Sequence, residues 1–123
     1  MYVDRSRILP GKADALEVAA GRLVEHVSAN KGRVLSYGIY FAADGSGMTV
    51  VHVHPDSASL EALLQAIAPV LTPFRDLLQL EAIDVYGSPS EAVMAQLHAK
   101  TQLLGGSIAV HSRVAGVEGA LPE

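Results

Sequence analysis

The sequence predicts an α+β domain: strands and helices in the order βαββαβ, an antiparallel sheet with helices on one face, then one more helix and strand. Three observations predict it. Apolar residues recur at helical spacing in two stretches, Leu16, Ala20, Leu23 and Val27, then Leu60, Leu63, Leu64 and Ile67. Four short runs rich in β-branched and aromatic residues flank those stretches and end at glycine- or proline-containing turns. The two strand–helix–strand units are also about equal in length.

Residues 2–9 read as the first strand, ended by Pro10 and Gly11. The first helix spans 12–30, with Asp14 and Glu17 in turns where the helix dipole favours them, and Lys31 and Gly32 as the stop. Residues 34–42 and 48–54 form a hairpin around Asp44, Gly45, Ser46 and Gly47. Pro55, Asp56 and Ser57 lead into the second helix, which Pro69 ends. Thr72 and Pro73 predict an N-cap and first-turn proline for a short helix over 74–78. Residues 80–86 form the fourth strand. This paired repeat is ferredoxin-like, with right-handed crossovers and an expected strand order of 4-1-3-2.

Ser88 and Glu91 lie three apart with Pro89 between them, which predicts a capped third helix to about residue 104, stopped by Gly105 and Gly106. Ile108, Val110 and Val114 suggest a fifth strand before a glycine-rich tail. The expected organisation is a single domain, 1–123, with a core over 1–87, an added helix and strand over 88–115, and a frayed tail over 116–123. The added pieces are expected to bury their apolar faces on the partner's sheet edge, by exchange between two copies.

Composition narrows the function classes. A formal charge of −4 without a dense basic cluster excludes a nucleic-acid footprint. The absence of cysteine removes disulfides, thiolate metal sites and cysteine nucleophiles, and fits a cytoplasmic setting. No stretch is long and apolar enough for a membrane span, and Asp4, Arg5 and Arg7 stand where a secretory leader would be apolar. Charged residues make up 18% of the chain, against about 25% in ordinary soluble domains. Mean hydropathy is +0.28. Such a chain is expected to cover part of its surface by forming a homodimer.

The residues that carry chemistry cluster in TVVHVHPD, 49–56. His52 and His54 stand two apart on one strand, with backbones about 6.5–7 Å apart, and are the candidate catalytic pair. Neutral imidazole suits proton abstraction near neutral pH. The helix-covered face is best supplied by Leu35, Tyr37, Ile39, Phe41, Ile83 and Val85. The two histidines are then expected on the opposite, uncovered face with Ser36, Tyr40, Asp84 and Tyr86, four candidate ligand-binding residues. Two such faces closed on each other would enclose a polar-lined cavity for a small hydrophobic ligand. A metal held by His52, His54 and Asp84 is the weaker alternative, because a two-histidine motif lacks a third ligand at metal spacing, and no metal site is assigned.

The ILPGKADALEVAAGRLVEHV run, the GIYFAADGSGMTVVHVHPDSASLEALLQAI hairpin-to-helix block and the closing LEAIDVYG strand resemble the dimeric α+β barrel superfamily. Within it they are most similar to antibiotic-biosynthesis-monooxygenase-like domains. The resemblance covers residues 2–87. It implies a homodimer with a ligand cleft between sheet and helices, and oxygenase-like chemistry on a hydrophobic or aromatic substrate without a bound cofactor. The Asn, Trp and Arg set associated with the cofactor-free oxygenases does not transfer: there is no tryptophan, and the only asparagine, Asn30, ends the first helix. The competing expectation is a non-catalytic ligand-binding or assembly domain.

Overall fold

A computed structural model describes residues 1–117 and 119. The chain runs β1 (Tyr2–Ile8), α1 (Ala13–Ala29), β2 (Ser36–Phe41), β3 (Gly47–Val53), α2 (Ser57–Ile67), two short 3-10 turns (Ala68–Val70 and Thr72–Asp76), β4 (Leu78–Tyr86), α3 (Glu91–Leu104) and β5 (Ser107–His111). The sheet order is β2-β3-β1-β4-β5, so the first four strands lie in the expected 4-1-3-2 arrangement. The pairs among those four strands are antiparallel.

Local chemistry accounts for the helices. The α1 stripe of Leu16, Ala20, Leu23 and Val27 is buried. Asp56 caps α2, its carboxylate accepting the Ser59 N–H at 2.9 Å, and Arg33 pairs with the same carboxylate at 2.8 Å. The α3 cap is Ser90, whose Oγ accepts the Val93 N–H at 3.2 Å. The expected Ser88 cap is thus displaced by two residues. The Gly87 N–H is held by the His111 carbonyl, and the Ser90 N–H by the Ser57 hydroxyl, so the chain stays extended through Ser88 and Pro89. Thr72 caps nothing, and the turn it begins is 3-10 rather than α.

The added strand corrects one expectation. Instead of crossing to another copy, β5 lies parallel beside β4 of its own sheet, with Ile83 opposite Ile108 and Val85 opposite Val110. Gly106 permits this docking: its φ is +85°, and a Cβ there would come 2.8 Å from the Leu80 carbonyl. A side chain would separate the strands. Val114 lies beyond β5 and is fully exposed. Most of the tail over 116–123 falls outside the described residues.

One core lies between the sheet and the helices. Tyr2, Asp4, Ser6 and Ile8 of β1 point into it, while Arg5 and Arg7 point away. The contributions of β4 are Leu78, Leu80, Ile83 and Val85, with a register shift opposite Arg5 and Ser6 that brings both Leu80 and Ile83 inward. Leu35, expected in the core, precedes β2 and is 49% exposed.

Candidate functional site

Strand pairing places His52 where the sequence did not. Residues directly opposite in a sheet share a face. His52 faces Tyr2 on one side and Tyr37 on the other, and both belong to the helix-covered face. His52 is therefore under the helices, only 1% exposed, and not on the open face. It is Thr49, Val51 and Val53 that look outward from β3.

The expected site is thereby split across the sheet. Ser36 and Tyr40 are exposed on the open side, with Tyr40 lying over Gly38. Asp84 and Tyr86 are there too: Asp84 accepts from His111 Nε2 at 2.8 Å and meets Arg5 at 3.1 Å, and Tyr86 stacks on His111. The His111 hydrogen bond, with help from Arg5, lowers the Asp84 pKa. Ser36, Tyr40 and Asp84 do not join His52 and His54, and of that pair Tyr86 meets only His54, across a surface depression. Asp84 and His52 lie on opposite faces, and no group of three metal-ligating side chains occurs among the described residues.

What does gather is a polar chain inside the core. His52 Nδ1 and His54 Nε2 are 2.6 Å apart, and His54 Nδ1 is 2.8 Å from Ser59 Oγ. The His52 ring stacks on Tyr2 at 4.0 Å between centroids and on Tyr37 at 5.1 Å. Its Nε2 is buried without a partner among the described residues. Two tautomer arrangements satisfy these distances. In one, His52 donates to His54 and His54 to Ser59, which leaves the His52 Nε2 lone pair as a free base. In the other, every proton runs the opposite way. Interconversion moves a proton along the chain, the operation a general acid–base site needs.

Burial pushes the His52 pKa well below its ordinary value, and the nearby Lys100 ammonium adds to this. His54, half-buried, is lowered to about 4, chiefly by burial. Both rings are therefore neutral near pH 7. His54 also lines a surface depression of about 310 Å³ with Asp56, Ser57, Tyr86 and Ser88, and connects the buried ring to solvent.

A second cluster adjoins the first. Tyr2 donates to Asp4 Oδ2 at 2.6 Å, and Lys100 Nζ donates to the same oxygen at 3.0 Å and to the Tyr2 hydroxyl at 2.6 Å. The Lys100 and Asp4 side chains are 10% and 3% exposed. Burial and the Asp4 charge raise the Tyr2 pKa well above the phenol range, so it remains a donor. Asp4, Ser6, Tyr37 and Lys100 surround a cavity of about 20 Å³, room for roughly one water.

Sequence reasoning missed this second cluster, yet two signals mark it. Tyr2, Asp4, Ser6 and Ile8 share one strand face, and apolar residues stand at both ends of that set. Lys100 falls in the stripe of Val93, Leu97 and Leu104, a lone cation in the buried face of α3. The remaining histidines are structural or solvated: His26 Nε2 meets the Ala66 carbonyl at 2.8 Å, and His98 is exposed.

No protein-family model matches the sequence, and no curated protein matches it. Among solved structures, MupZ from Pseudomonas fluorescens superposes with a TM-score of 0.69 at 15% identity, over 98% of this chain and 96% of that one. A protein of Chloroflexus aurantiacus J-10-fl, provisionally assigned as an antibiotic biosynthesis monooxygenase, superposes with a TM-score of 0.53 at 19% identity, over 67% of this chain and 84% of the other. The likeness is one of fold: this chain shares its α+β fold with both proteins.

Proposed function

We propose that this protein is an enzyme that moves a proton on a hydrophobic, aromatic small molecule, the first step of cofactor-independent, monooxygenase-like chemistry. The observation that carries the reading is the His52–His54–Ser59 chain, which ends in an unpartnered His52 Nε2 inside the core. A neutral, desolvated imidazole accepts a proton from an acidic C–H or O–H of the substrate. Transfer of the Nδ1 proton from His52 to His54 carries the compensating charge to the ring that lines the surface depression, with Ser59 holding that ring. Tyr2 and Tyr37 hold the ring in place by stacking. The deprotonated substrate is electron-rich, the form in which an aromatic enolate or phenolate reacts with dioxygen directly.

The fold likeness supports a homodimer through the open face, where Val3, Val51 and Val53 are only half-exposed for want of a covering layer. Among the described residues no helix is long and apolar enough to cross a membrane. The cysteine-free sequence supports a reducing, cytoplasmic setting.

The test is deuterium uptake. α-Tetralone in D₂O, followed by proton NMR, is expected to exchange its α-protons faster with protein than without, and oxygen uptake is measured beside it. His52→Phe should abolish the acceleration while the circular dichroism spectrum is retained. A wild type without acceleration, or a variant that keeps it, overturns the reading. The interior free space of about 20 Å³ favours a second reading, a non-catalytic ligand-binding or assembly domain. His52→Phe would then change the melting temperature alone.

A further inference from the structure

We propose that the groove between α2 and α3 binds an uncharged apolar small molecule bearing a hydroxyl or carbonyl group, with that polar end directed at Lys100. The inference rests on the proposed reading of the core as the reactive site, and it names the class of molecule and its way in. Three observations carry it. The groove has a volume of about 380 Å³ and apolar walls from Leu64, Leu71, Ala99 and Leu103. That falls within the roughly 300–1,000 Å³ typical of small-molecule pockets, whereas the small cavity within the core, of about 20 Å³, does not.

Groove and core also share a floor. Leu71 and Lys100 line both the groove and the inner cavity beside Asp4, Ser6 and Tyr37. Lys100 runs through this partition, with its ammonium on Asp4 and Tyr2 inside. Displacing the Leu71 side chain, which the short 3-10 turns carry, would join the two spaces. Gln96 holds α3 to α2 at the groove by donating to the Glu61 carbonyl at 3.2 Å.

Charge decides the class of ligand. The Lys100 ammonium is already neutralised by Asp4 in a nearly dry setting. A carboxylate arriving there would meet the Asp4 charge and lose its own hydration without a free cation in return. A hydroxyl or carbonyl oxygen has no such cost, because Lys100 spends two of its three N–H donors on Tyr2 and Asp4 and the third can reach a ligand oxygen.

The experiment uses 1-naphthol and 1-naphthoate at pH 7.4, followed by calorimetry and by amide shifts in ¹⁵N spectra. Naphthol is expected to bind at least about tenfold more tightly, a difference of about 1.4 kcal/mol, and to shift the amides of Leu64, Leu71, Ala99 and Leu103. Ala99→Trp and Ala68→Trp place a large ring in the groove from exposed positions, and each should abolish binding with the melting temperature kept. His52→Phe should leave naphthol affinity within about twofold. If turnover fails while groove binding holds, the catalytic reading falls and this one stands. Equal or preferred binding of naphthoate, shifts confined to Ser57 and Ser88, or unchanged binding to both tryptophan variants overturns the proposal.

Discussion

Replacing Lys100 with methionine keeps most of the side-chain volume and removes the one cation beside Asp4. The Asp4 side chain is 3% exposed, so its charge cannot turn to water, and only the Tyr2 hydroxyl remains to stabilise it. Breaking a buried pair by removing one partner costs about 3–5 kcal/mol. The retained Tyr2 hydrogen bond places the expectation near the lower limit, about 3 kcal/mol. In a chain of this size that is about 10 °C of melting temperature. The measurement is urea unfolding followed by circular dichroism at pH 7.5, on Lys100→Met, Asp4→Asn and the double variant. Asp4→Asn leaves Lys100 unpaired, whereas the double variant leaves no charge at all. The double variant should therefore be more stable than the sum of the single losses allows, with a coupling of at least about 2 kcal/mol. Single losses below about 1 kcal/mol that simply add would show that the cluster contributes nothing cooperative.

Other outcomes follow from the same contacts. Because His52 and His54 bind protons less readily folded than unfolded, stability is fully present above about pH 6.5 and declines as pH falls. The His54 part is lost by about pH 4, the His52 part continues below, and for the buried His52 the slope does not exceed about 1.4 kcal/mol per pH unit. Chemical denaturation from pH 8 to pH 4 reads this, and His52→Phe should flatten it. Gly106→Ala puts a methyl group against the Leu80 carbonyl at a positive φ, and should cost about 2–3 kcal/mol with hydrogen exchange rising first in β5. Ser59→Ala removes the end of the histidine chain, and ¹⁵N spectra should show the tautomer populations of both rings change while the fold is kept. Val51→Lys on the open face tests the proposed homodimer: in analytical ultracentrifugation the variant should sediment as a monomer where the unaltered chain sediments as a dimer, with the helix content kept.

Much of this architecture is legible in the sequence because helical periodicity and turn residues act locally. Leu16, Ala20, Leu23 and Val27 can share a face only in a helix, and the Asp44–Gly47 turn leaves the flanking strands little choice but to pair. The site is harder to read, for a reason of register. In β3 both alternating sets, Met48–Val50–His52 and Thr49–Val51–Val53, are apolar enough to line a core. Composition therefore cannot choose between them, and a shift of one residue reverses every side chain. The pairing of Tyr37 with His52 settles the matter, and it depends on the residue count of the hairpin loop. Asp4 was obscure for a different reason: an acid in a core strand makes sense only beside a cation, and that cation is remote in the chain.

That remoteness bears on how the protein is made. Asp4 and Lys100 are separated by 96 positions, and Lys100 belongs to α3, outside the repeated βαββαβ unit. β1 thus carries an acid whose counter-ion is translated 96 residues later. Packing β1 against the helices before that residue is made would strand a charge. A fragment stopped after β4 would keep the repeat and inherit that unbalanced carboxylate. The helix that looks like an appendage is a condition for the strand at the sheet's centre to close.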